Sequence, residues 1–87
     1  MNRRIHEALL DMRRSPKRVR FRDLCKVCDH FFGKPRQQGT NHMVYKTPWA
    51  GDPRINIQDS RGKAKVYQVK QVLAAIDKLE KIDDSAQ

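Results

Sequence analysis

The sequence predicts an α+β domain of order α-α-β-β-β-α, a three-stranded antiparallel sheet with helices on one face. Three observations lead there. Two stretches in the first third and one near the C-terminus repeat apolar residues with a helical period. Between them lies a stretch that alternates apolar and polar residues with a period of two. Glycine or proline stands at most of the boundaries. Eighty-seven residues leave room for one domain and a modest core.

The first helix lies within Arg3 to Arg13, where Ile5, Ala8, Leu9 and Met12 share a stripe, and Ser15-Pro16 ends it. The second lies within Arg20 to Phe32. Phe21, Leu24, Cys25, Cys28, Phe31 and Phe32 fall on one face, and Gly33 follows where a helix is expected to stop. Pro35 to Gln38 makes a short strand that turns at Gly39-Thr40. Next, His42, Val44 and Lys46 alternate with Met43 and Tyr45, and Arg54, Asn56 and Gln58 alternate with Ile55 and Ile57. These are two strands of a hairpin, joined through Pro48-Trp49-Ala50-Gly51-Asp52-Pro53. Ser60 to Lys65 is read as a polar, basic loop. Val66, Val69, Val72, Leu73, Ile76 and Leu79 mark the last helix. The chain thus divides into a basic helix and linker (1–19), the main domain (20–82) and a polar tail (83–87) that should fray.

Charge narrows the function. Lys and Arg number 19 against 10 Asp and Glu, a net of +9. Solubility alone asks a small domain for a net charge of only about 2–8, so a polyanionic partner, nucleic acid first, is expected. Met1 to Arg22 carries +6, Asp23 to Lys65 +4 and Val66 to Gln87 −1, so the basic surface belongs to the first three quarters of the chain. No apolar run approaches the roughly 20 residues of a membrane span, and the N-terminal residues lack the pattern of a secretory signal. With two cysteines only three positions apart, a reducing, cytoplasmic setting is the expectation.

His42 is the foremost candidate for chemistry. It opens a strand after Gly39-Thr40-Asn41, near Arg36, Lys46 and Arg54 in the strand pattern. Imidazole, with an ordinary pKa of about 6.5, both takes and gives protons near neutrality. RNA brings its own nucleophile, the 2′-hydroxyl, so one such group with cations around the phosphate would serve. A histidine that only binds phosphate fits the same residues. Cys25 and Cys28 have the spacing of a metal or redox pair, but both fall on the apolar stripe and are read as core. Trp49 suits base stacking, hairpin capping or docking of a protein partner alike. Asp52 and Asp59 stand apart, which disfavours a two-metal nuclease; no metal and no cofactor are expected.

Four segments together resemble the HicA toxin family, bacterial mRNA interferases paired with HicB antitoxins. They are Phe21-Arg22-Asp23-Leu24, Gly39-Thr40-Asn41-His42 with Tyr45 following, Pro53-Arg54-Ile55-Asn56-Ile57, and the run from Gly62 to Leu73. The likeness covers about Arg20 to Leu79. It implies a double-stranded-RNA-binding-domain-like fold, cleavage of mRNA with His42 as the catalytic residue, and neutralisation by a HicB-like antitoxin that covers the site. The expected RNA contacts are Arg36, Gly39, Thr40, Asn41, Lys46, Arg54, Lys63 and Lys65. The chain departs from the family pattern in two places. Many members have the histidine two residues after the glycine, whereas Asn41 intervenes here, and residues 1–19 are additional. The alternative reading is a basic RNA-binding module without catalysis; a third is a protein-interaction domain using Trp49 or the last helix.

Overall fold

The computed structural model describes residues 3–39, 41–49 and 54–85. Helix α1 (Arg3–Arg14) leads through a single 3-10 turn (Pro16–Arg18) to α2 (Phe21–Phe32). Strands β1 (Arg36–Gln38), β2 (His42–Tyr45), β3 (Ile55–Ser60) and β4 (Lys63–Ala64) follow, and α3 (Val66–Ser85) closes the chain. The strands form one antiparallel sheet in sequence order. The α+β class and the order of the main elements agree with expectation. Two details do not. A fourth strand occupies the region expected to be loop, and α3 runs on to Ser85, through residues expected to fray.

Alternation along the strands decides which face is buried. Tyr45, Ile55, Ile57 and Ala64 are buried and Met43 packs against them, so these positions face the helices. Leu24, Val27 and Cys28 of α2 and Val69, Val72 and Ile76 of α3 meet them, with Leu9 and Met12 of α1 completing the core. Burying a side chain of this size contributes about 1.5–3 kcal/mol, which outweighs the middling helix propensity of the β-branched residues in α3. Val27, outside the stripe read from the sequence, is fully buried because α2 packs against α1 and α3 as well as the sheet.

Three polar devices fix the elements to one another. Gln68 on α3 is buried, and its Oε1 accepts the Gln58 N–H at 2.8 Å, on the side of β3 that the short β4 leaves uncovered. Arg13 on α1 holds Asp77 on α3 at 2.7 Å; the guanidinium keeps that carboxyl below its usual range. The Tyr45 hydroxyl donates to Asp29 Oδ1 at 2.7 Å, beneath the sheet.

Candidate nucleic-acid interface

Because the helices take one face of the sheet, the other is left to solvent. Register assigns its residues. Arg36, Val44 and Asn56 form one cross-strand row, and Gln38, His42 and Gln58 form the next. Rows two residues apart lie about 7 Å from each other along the strands. Ser60, Lys63 and Arg20 continue the face beyond the second row, through the β3–β4 ladder and an isolated bridge from Arg20 to Lys63.

Around the first row the open face is hollow and cationic. Two adjoining hollows of about 410 and 450 Å³ share Arg36, Val44 and Arg54. Lys34 and Lys46 line one, Gln38 and Asn56 the other. The structure brings Arg36, Lys46 and Arg54 together around these hollows, but His42, expected beside them, lines neither. Lys34, not among the contacts expected from the sequence, joins these cations just before β1. Side chains of one sign over a floor of Val44, Phe32 and Pro35 make a surface suited to a phosphate chain.

His42 stands one row away and borders neither of these hollows. It lines a small cavity of about 40 Å³ with Phe21, Gln37, Asn41, Met43 and Asp59. Among the described residues, no side chain hydrogen-bonds the imidazole. Asp59, which borders the same cavity, spends its Oδ1 on the Gly62 N–H at 2.6 Å. His42 is half-buried, and among the described residues no carboxylate fixes its tautomer.

Three residues separate Gln38 from His42 in the turn that leads into β2. Gln38 pairs with His42 across Gly39, Thr40 and Asn41, and Gly39 takes φ +71°, a left-handed conformation that glycine adopts without penalty. Asn41 is exposed and its carbonyl accepts the Asp59 N–H at 2.8 Å, so β2 is locked in register from its first residue. Thr40, expected to touch RNA, lies outside the described residues, as do Ala50, Gly51, Asp52 and Pro53 of the hairpin loop.

The remaining candidates separate. Lys63 lies on the open face at the far end from Arg36, and Lys65 sits one residue past β4, where its carbonyl accepts the first free N–H groups of α3. Tyr45 is fully buried, and burial and its bond to Asp29 push the hydroxyl pKa well up, so it cannot reach a substrate or exchange protons with one. Cys28 is buried and Cys25 half-buried; burial raises both thiols, as suits a pair read as core. Trp49 carries the Lys78 ammonium 4.5 Å from its ring centre, which ties the hairpin to α3 and occupies one face of the indole. Among the described residues, no three of His, Cys, Asp or Glu converge as metal ligands, and no helix is long and apolar enough to cross a membrane.

Comparison with protein-family models, with curated proteins and with solved structures returned no match. The class defined by fold and face is a small α+β domain with a basic, solvent-facing sheet surface.

Proposed function

We propose that this protein is a HicA-like endoribonuclease, the toxin of a toxin–antitoxin pair, which binds mRNA on the open face of its sheet and cuts it at His42. One observation carries the reading: the cluster of Arg36, Lys46 and Arg54 sits one cross-strand row from a half-exposed histidine on the same uncovered face. The resemblance of the Gly39 to His42 turn and the lysine-rich start of α3 to the family supplies the rest. The expected dsRNA-binding-domain-like architecture draws support from the run of consecutive antiparallel strands before a C-terminal helix on their inner face, although a short fourth strand comes between β3 and that helix.

In this reading the 2′-oxygen of one nucleotide attacks the adjoining phosphorus. Its proton leaves to a base, the P–O5′ bond breaks, and the 5′-oxygen takes up a proton. A 2′,3′-cyclic phosphate and a 5′-hydroxyl result, with no co-reactant. His42 serves as the base for the first proton or the acid for the second. Arg36, Lys46 and Arg54 hold neighbouring phosphates and offset charge on the pentacoordinate phosphorus. A HicB-like antitoxin would act by covering this face, in the cytoplasm.

Non-catalytic RNA binding is the second reading, favoured by the absence, among the described residues, of a group that orients the imidazole. An oligonucleotide with a single 2′-deoxy sugar at the cut position separates the two. The toxin reading expects the RNA to be cut, with a cyclic phosphate at the new end, and the 2′-deoxy version to be bound equally but left whole. Binding of both without any cutting supports the second reading.

A further inference from the structure

The three residues 19–21 behave as a fifth, rudimentary strand. The Val19 carbonyl accepts the Ala64 N–H at 2.9 Å, the Phe21 N–H donates to the Gly62 carbonyl at 3.0 Å, and Arg20 bridges to Lys63. Val19 is buried and Phe21 packs on the core, so Arg20 between them is turned to the open face. The additional N-terminal segment is thereby stitched to the edge of the sheet.

Beside Arg20 stands the two-residue turn of β3 and β4. Arg61 has φ +55° and Gly62 φ +82°, the double left-handed geometry of a type I′ turn. Asn or Gly fits the first of those positions; a longer side chain there is strained. The chain nonetheless carries an arginine at the apex of this turn. Arg20, Arg61 and Lys63 are all exposed, and among the described residues none of their side chains forms an ion pair or hydrogen bond. A strained arginine without an ion pair, at the turn directly joined to Lys63 and next to the Arg20 bridge, is an outlier that invites a functional reading.

We infer that Arg20, Arg61 and Lys63 form a second phosphate-binding station for the same RNA strand. This rests on the functional reading above. The row of Arg36 and the row of Lys63 are about 14 Å apart along the strands, with His42 in the row between them. A strand held at both ends is thus drawn taut across the histidine, contacting backbone rather than bases. The N-terminal segment belongs to the substrate site, and RNA too short to reach both stations binds weakly.

The test measures binding of a fluorescent single-stranded 2′-O-methyl oligonucleotide, which has no free 2′-hydroxyl to attack, across a salt series. Arg20→Gln with Arg61→Asn is compared with the parent. Lys26→Gln with Lys81→Gln removes the same charge from exposed positions on α2 and α3. For single strands the slope of log Kd against log salt changes by about 0.7 per phosphate contact. The first pair should flatten it by about 1.4 and weaken binding at least tenfold at low salt, while Arg61→Asn alone melts no lower than the parent. The Lys26/Lys81 pair should keep the parent slope, and Arg20→Lys with Arg61→Lys should restore it. An unchanged slope in the first pair, or an equal change in the Lys26/Lys81 pair, overturns the second station. If the parent binds no RNA at all, the functional reading falls and this inference with it; if the parent binds and cuts RNA while the first pair equals it, only the second station falls.

Discussion

His42 and Tyr45 sit three residues apart on one strand and have opposite environments, because an odd spacing along a strand changes face. His42 is half-exposed on the open side, while Tyr45 is fully buried with its hydroxyl on Asp29. In the proposed reaction, a proton-transfer partner for His42 would come from its own face, where Lys46 stands and Tyr45 does not. Tyr45→Phe should therefore leave RNA cleavage unchanged and lower stability by about 1 kcal/mol, the usual net value of one hydrogen bond. Parallel cleavage assays and urea melts check both halves. A large fall in cleavage with intact fold would make Tyr45 a participant after all.

At the scale of elements, Gln68 does for β3 what a longer β4 would have done. Its amide accepts the Gln58 N–H, directly behind the His42 row, and its Nε2 reaches the Tyr67 hydroxyl at 3.4 Å. Gln68→Ala strands a strand-edge donor close to the core and should cost about 1–3 kcal/mol. Hydrogen exchange at Gln58 and its neighbours should accelerate more than at Leu24 or Val27. Uniform acceleration would place the damage in the core instead of at the strand edge. This device was not legible in the sequence, since a glutamine among Val66, Val69 and Val72 reads as the polar side of a helix. Strand β4 was hidden for a related reason: two residues are too few for a periodic signal, and Ser60-Arg61-Gly62-Lys63 lacks the Asn-Gly that announces a type I′ turn. By contrast, the alternation from His42 to Gln58 was long enough to assign both faces of β2 and β3 correctly, though not the distance of His42 from the hollow lined by Arg36, Lys46 and Arg54.

Over the whole molecule, the distribution of net charge along the chain is a poor guide to which cations face the open side of the sheet. The N-terminal segment has the largest excess of bases, yet Arg3 pairs with Glu7 and Arg13 with Asp77, and α1 packs on the side of the helices. The charge that faces an open, hollow surface comes from the sheet and its two ends, and only a register of the strands reveals it. The sheet has helices on one side and cations on the other, so substitutions on the open face need not disturb folding. The most direct measurement of the central claim is a time course of RNA cleavage with EDTA present, run on the parent and on His42→Ala, with RNA binding and melting followed in the same samples. The expected result is cutting by the parent, loss of it in His42→Ala, and retained fold and affinity in both. Equal rates of cutting by the two proteins would contradict the assignment of His42.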